Sequence, residues 1–311
     1  MSTLRPFRFG VIAYHATSKE EWVARARRIE QSGYSTLLVP DHPVEQLAPV
    51  PAILAAAEAT SSLRVGSYVF NNDFRHPVML AKEAATLDVL TGGRFELGIG
   101  AGYDRLEYEQ CGIAYDPAIV RVRRLEETIQ IVKRLFAEEP ATFSGNYYRI
   151  NNLNGFPKPV QQPHPPLLVG GAGKQMLSLA AREATIVSLG AKALGDGSGL
   201  DVTDTTPAAT TQKIEWIRQV AGERFNALEL NIIIYAVVVT GNRSEAAQQL
   251  AGRFKASEEQ MFTTPHCLIG TPDQMSEDIL ERRERYGISY ISVFEDSIEA
   301  FAPVVARLVG K

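Results

Sequence analysis

Short apolar runs alternate with longer amphipathic ones along most of this chain, the pattern of parallel strands joined by helical crossovers. Eight runs read as strands: FRFGVIAY (7–14), STLLVPD (35–41), RVGSYVFN (64–71), RFELGIGAG (94–102), PLLVGG (166–171), TIVSLG (185–190), LNIIIYAVVVT (230–240) and SYISVFE (289–295). Helical runs fall between them. Ser18 and Glu21 have capping-box spacing ahead of KEEWVARARRIEQ, and Gly33 closes that helix. Pro77 stands in the first turn of the next clear helical run, while Val122, Leu125, Ile129, Val132 and Leu135 share one face of RVRRLEETIQIVKRLF. Eight strand–helix units favour an α/β fold closed as a (β/α)8 TIM barrel, a single domain over residues 1–311, over an open doubly wound sheet. Two stretches break the rhythm and read as insertions, near 143–165 and 191–211. The second is poor in apolar residues and rich in Gly, Thr and Asp, which fits either a mobile lid or a plain surface loop.

Composition narrows the function classes. At 45% hydrophobic and 22% charged residues the chain has ample core material, and its net charge of -4 argues against nucleic acid as a partner. No stretch approaches a membrane span and no secretory leader opens the sequence, so the expected location is the cytoplasm, away from membranes. Cys111 and Cys267 lie far apart without metal-type spacing and read as two reduced thiols. The five histidines (His15, His42, His76, His164 and His266) never form an HxH or HExxH pair, and no metal site is expected.

Glycines carry the next signal. Gly98, Gly100 and Gly102 do not form a dinucleotide fingerprint, because its sixth place falls on Tyr103 or Arg105. Their every-second spacing instead puts all three on one face of a strand. Such a bare strip either lets a flat ligand approach the backbone or makes room for bulky neighbours inside the barrel. Downstream, VGGAGK runs from a strand into the helix KQMLSLAARE, so Gly170 to Lys174 form either an anion cradle at a helix N-terminus or a tight glycine turn. Together the two motifs suggest a flat, phosphate-bearing ligand across the barrel mouth.

Barrel active sites lie at the C-terminal strand ends, and those ends are polar here: His15 follows the first run, Asp41 and His42 the second, Asn71, Asn72 and Asp73 the third. A Schiff-base lysine is absent from all eight runs. A glycoside-hydrolase-like pair can be made from Asp41 and Glu295, but it leaves the glycines unexplained.

These residues resemble a known family. RFGVIAYHATSKEEWVARARRIEQSGYSTLLVPDHP, LRVGSYVFNNDFRHPVMLAKEAATLDVLTGGRFELGIGAGYDRLEYEQCGI, RVRRLEETIQIVKRLF, PHPPLLVGGAGKQMLSLAAREA and LIGTPDQMSEDILERRERYGISYISV are similar to the bacterial-luciferase-like oxidoreductases, in particular those using the deazaflavin coenzyme F420 instead of FMN. The resemblance implies a ring seated at the strand ends and a non-proline cis peptide in a bulge at Tyr68–Val69. It implies that His42, in the PDH motif with Asp41, sits beside the reactive edge of the ring and transfers protons. Gly100, Ala101, Gly102 and Tyr103 would follow the ring and tail, and Gly170, Gly171, Ala172 and Gly173 would supply phosphate-binding amides. His15 and Asn71 are second-rank site residues, and Arg75, Arg105 and Lys174 are candidates for the acidic tail. Sugar-phosphate dehydrogenases of this family carry a glutamate proton donor where this chain has Tyr103, which leaves Tyr103 or Glu107 as candidate acids toward the substrate. The expected activity is hydride transfer between F420 and a small organic substrate, with an FMN-dependent monooxygenase as the alternative and a barrel hydrolase behind it. A homodimer is expected on the same ground.

Overall fold

The computed structural model describes residues 5–194 and 201–311. Met1–Leu4 and the middle of the second expected insertion, 195–200, lie outside the described residues. In chain order the strands are β1 (Arg8–Ile12), β2 (Thr36–Val39), β3 (Arg64–Ser67), β4 (Phe70–Asn71), β5 (Phe95–Gly100), β6 (Ala141–Ser144), β7 (Arg149–Leu153), β8 (Leu167–Gly171), β9 (Ile186–Leu189), β10 (Glu229–Ile234), β11 (Ala236–Val239), β12 (Cys267–Gly270) and β13 (Ile288–Phe294). The α-helices are α1 (Lys19–Gln31), α2 (Pro49–Glu58), α3 (Pro77–Leu90), α4 (Arg105–Gln110), α5 (Ala118–Phe136), α6 (Lys174–Glu183), α7 (Pro207–Ala221), α8 (Arg243–Phe254), α9 (Glu258–Thr263), α10 (Pro272–Tyr286) and α11 (Ile298–Leu308).

The barrel closes as expected. Its parallel strands run β3-β2-β1-β13-β10-β9-β8-β5 and return through β5 to β3, while β4 continues β3 beyond a break and pairs with β5 through Phe70–Ile99 and Asn71–Gly100. Local chemistry explains the flanking helices. Ser18 accepts from the Glu21 amide to start α1, although Glu21 turns its own carboxylate to Thr17 and leaves the capping box half made. Pro77 occupies the first turn of α3, and Leu125, Ile129, Val132 and Leu135 are buried along α5.

Strand alternation separates two cores. Phe9, Val11, Leu97, Ile99, Val169, Val187 and Ile232 face outward under the helices. Ile12, Leu38, Leu168, Ile186, Ile233 and Tyr290 form the separate interior cluster. The strand starts close over a charged floor in which Glu96, 1% exposed, takes both Arg8 (2.6 Å) and Arg64 (2.7 Å), while Arg8 also reaches Glu229 (2.7 Å) and stacks 3.7 Å over Tyr290. Burial opposes the Glu96 charge, yet the two guanidiniums hold its carboxyl below the usual range.

Two stretches differ from the sequence expectation. Residues 230–240 are two strands, not one: Tyr235 separates β10 in the barrel from β11, which pairs with β12 outside it. Ala236, Ala247, Leu250, Met261, Cys267 and Ile269 form a small second core beneath that outlying sheet. An unbroken apolar β-branched run contains no mark of such a break, and CLIG was too short to stand out. In the first expected insertion, β6 and β7 form an antiparallel hairpin against α5, and the chain then returns to the floor, where Gln161 bonds Asp88 (2.6 Å) and the Phe95 carbonyl (2.8 Å). No helix among the described residues is long and apolar enough to cross a membrane.

Candidate active site

β3 stops at Ser67 and β4 resumes at Phe70, and the Tyr68–Val69 peptide between them is cis, where the resemblance put it. This bulge leans onto β5. A Cβ on Gly98 would overlap the Ser67 carbonyl oxygen and lie 3.2 Å from Val69 Cγ1, and one on Gly100 would lie 2.6 Å from Val69 Cγ2. Ser67 and Gly98 are stitched together by reciprocal bonds, Ser67 Oγ to Gly98 O (2.7 Å) and Gly98 N to Ser67 Oγ (3.0 Å). The bare face at 98 and 100 is therefore filled by the bulge, so the packing alternative holds there. Gly102 has another reason to be glycine: φ is +70°, and a Cβ would overlap the Tyr108 hydroxyl and stand 2.9 Å from the Asn71 amide.

The Tyr68 phenol crosses the barrel interior to Ser188 (2.6 Å) and Asn231 (3.1 Å), and Asn231 continues to Ser292 (2.8 Å). Burial pushes the phenol up to about 12, against the Ser188 hydrogen bond. Above this polar layer, Tyr14, Tyr68, Val69, Tyr235 and Phe294 pack on the interior cluster at the strand ends. Nothing in the sequence marks Tyr14, Tyr235 and Phe294 for this place, because tyrosine and phenylalanine in a strand look like ordinary core.

His42 stands at this rim, just past β2. Its Nδ1 lies 2.7 Å from Glu107 Oε1, and its ring meets Tyr103 edge to face with centroids 5.7 Å apart. The structure thus brings together the expected proton-transfer residue and both candidate acids. α4 positions the pair: Asp104 caps it through the Leu106 amide (3.0 Å), and buried Arg121 donates to the carbonyls of Ala101 and Gly102 ahead of it. With Glu107 ionised, its carboxylate only accepts, so the Nδ1 of a neutral His42 would carry the proton and Nε2 would be the acceptor. Nε2 makes no hydrogen bond among the described residues.

Other expected residues have structural employment. Asp41 is held by Arg75 through two bonds and accepts from the Asn71 amide (2.9 Å), so Arg75 is not free for an acidic tail. Asn71 caps the turn at Asp73 and receives the Tyr108 hydroxyl at 3.0 Å. Glu295 pairs with Arg25 at 2.5 Å, and Arg25 also donates to the His15 carbonyl. With Asp41 and Glu295 both spent on arginines, the hydrolase reading loses its acid and base. Arg105 faces Glu109 at 2.8 Å on the outside of α4.

The glycine cradle ends β8 and opens α6. Among the described residues no side chain caps α6 at Gly173, and a Cβ there would meet nothing within 4 Å. Gly170 and Gly171 are half-buried, Ala172 is buried, and Lys174 is exposed beside them. An uncapped helix start of this kind suits the phosphate of a cofactor tail, which the donor set, amides with one lysine nearby, also fits. No group of His, Cys, Asp and Glu among the described residues is arranged to hold a metal ion.

A family model for luciferase-like monooxygenases matches residues 1–289. The chain is 26% identical over 289 residues to an FMNH(2)-dependent dimethylsulfone monooxygenase of Pseudomonas putida, covering 82% of this chain and 76% of that protein. It is 31% identical over 191 residues to an F420-dependent glucose-6-phosphate dehydrogenase of Microbacterium testaceum, covering 58% and 55%. The fold superposes on a coenzyme F420 dependent tetrahydromethanopterin reductase from Methanopyrus kandleri with a TM-score of 0.78 at 16% identity, over 98% of both chains.

Proposed function

We propose, from the premise that the chain belongs to the luciferase-like monooxygenase family, that it is an F420-dependent oxidoreductase acting on a small organic substrate. Relatives of both kinds, F420- and FMN-dependent, make it an oxidoreductase of this family; the choice of F420 is our reading. The observation that carries it is the His42–Glu107 pair beside the Tyr68–Val69 bulge: an imidazole held at one nitrogen, the other without a partner among the described residues, suits a reaction in which a proton moves as a hydride does.

When bound, the deazaflavin supplies a two-electron hydride acceptor or donor. Val69 and the bulge would back the ring, and the amides of Gly170, Gly171, Ala172 and Gly173 ahead of α6 would take the tail phosphate. Glu107 orients His42 and fixes its tautomer. His42 Nε2 takes the substrate hydroxyl proton when carbon loses a hydride, and returns it in reverse.

Matches over 289 residues to FMNH(2)-dependent monooxygenases support the alternative, an FMN-dependent monooxygenase on the same scaffold. Fluorescence titration of the purified protein with F420 and with FMN separates them. Micromolar or tighter binding of F420 with no binding of FMN is expected; the reverse overturns the cofactor assignment. His42→Ala should retain F420 binding while turnover collapses, and unchanged turnover removes His42 from the role.

A further inference from the structure

The charges around the mouth are already matched. Arg75 is committed to Asp41, Arg25 to Glu295 (2.5 Å) and Glu21 (2.8 Å), and Arg124 to Asp73 (2.9 Å). Lys213, 1% exposed, is held by Asp204 at 2.7 Å, and Lys192 reaches the same carboxylate at 3.3 Å. Arg121 spends its guanidinium on backbone carbonyls and on Tyr115. Residues 1–4 and 195–200 contain no lysine or arginine, so no further side-chain cation comes from them. Lys174 stands at the start of α6, on the side of the mouth assigned to the cofactor tail.

What remains between these pairs is aromatic and aliphatic. Tyr14, Tyr68, Val69, Tyr235 and Phe294 line the strand ends over an apolar interior cluster, and Tyr103, 57% exposed, stands over His42. A phosphate or carboxylate entering there would shed water against aromatic walls and find every nearby guanidinium occupied. A neutral ring or chain would bury apolar surface on those walls without that penalty.

We infer that the substrate is a neutral, largely apolar molecule whose only polar demand is the reacting oxygen at His42, and that sugar phosphates and carboxylates are excluded. This rests on the mouth being the substrate site of the proposed oxidoreductase, though not on which cofactor it uses. Relaxed binding of the oxygen is left to His42 Nε2 and the Tyr103 phenol.

The test is a matched set of one ring with three charges: cyclohexanol, cyclohexanecarboxylate and cyclohexyl phosphate, read by saturation-transfer NMR on the full chain saturated with whichever of F420 and FMN it binds, so that the cofactor fills the phosphate cradle. Cyclohexanol is expected to bind at least tenfold tighter than either anion. Tyr103→Arg, at an exposed position, should narrow that gap to within about threefold by supplying the missing cation. Equal binding of all three, binding of none, or preference for an anion overturns the inference. A protein that binds FMN and not F420 while still preferring cyclohexanol overturns the cofactor assignment alone.

Discussion

Alanine at position 98 asks whether the glycine strip of β5 serves the protein or a ligand. The added methyl would overlap the Ser67 carbonyl oxygen, lie 2.9 Å from its carbon and press on Val69 Cγ1 at 3.2 Å. The obstruction is backbone, which has no rotamer by which to move aside. Overpacking of this kind costs about 1–3 kcal/mol. Displacing Ser67 also weakens its two bonds to Gly98 (2.7 and 3.0 Å), each contributing about 1 kcal/mol. Replacing glycine restricts the unfolded chain and returns somewhat under 1 kcal/mol. The net loss is then about 2–4 kcal/mol. An unfolding entropy of about 2.1 cal/mol/K per residue puts about 0.65 kcal/mol on each degree for a chain of this size, so Tm should fall by about 3–6 °C. Thermal melts of ligand-free Gly98→Ala and wild type read this directly. Gly173→Ala is the control: φ is -84° and nothing lies within 4 Å, so its Tm should stay within about 1 °C of wild type. A Gly98→Ala protein as stable as wild type that has lost cofactor affinity would refute the packing argument and return the strip to the ring.

Other perturbations reach the site and the core. Glu107→Gln should cut kcat about tenfold or more with cofactor binding retained, and combined with His42→Ala it should cost nothing further; additive losses in that double-mutant cycle would mean that Glu107 acts independently. Gly173→Asp should raise Tm slightly, because a carboxylate caps α6, yet weaken cofactor binding at least tenfold; unchanged binding would move the phosphate elsewhere. Burial holds the His266 imidazole at about 3, below its value in the unfolded chain of about 6.5. The unfolded state therefore binds the extra proton, so this contribution is complete above pH 6.5 and is lost on acidification at about 1.4 kcal/mol per pH unit down to about pH 3. Urea midpoints from pH 7.5 to 5 should show that loss in wild type and a shallower one in His266→Gln; parallel curves would clear His266.

Much of this architecture is legible in the residues themselves, because each barrel strand is an apolar run bounded by turn chemistry and each flanking helix carries one buried stripe. His42 was legible as a polar residue at a strand end, and the spacing of Gly98 and Gly100 announced a bare face. What fills that face was not legible: Val69 is an ordinary strand residue until the chain bulges. Nor was the pairing of Asp41 with Arg75, 34 positions apart, or of His42 with Glu107, 65 apart, since charge partners across a fold leave no periodic trace. The apolar mouth was hidden for the opposite reason, its aromatics being indistinguishable in sequence from packing residues.

Tyr235 belongs to two parts of the molecule at once. Its backbone N–H is pinned to the His266 carbonyl ahead of the outlying sheet (2.8 Å) and its ring stacks on His266, while its hydroxyl accepts from the Ala191 amide beyond β9 (2.9 Å). One wall of the pocket is thus hung from a hinge pin that the barrel does not own. Substitutions in α8 or α9 that settle the small core differently would tilt that wall and retune selectivity from a distance, giving the chain a way to change what it accepts while every strand of the barrel keeps its register.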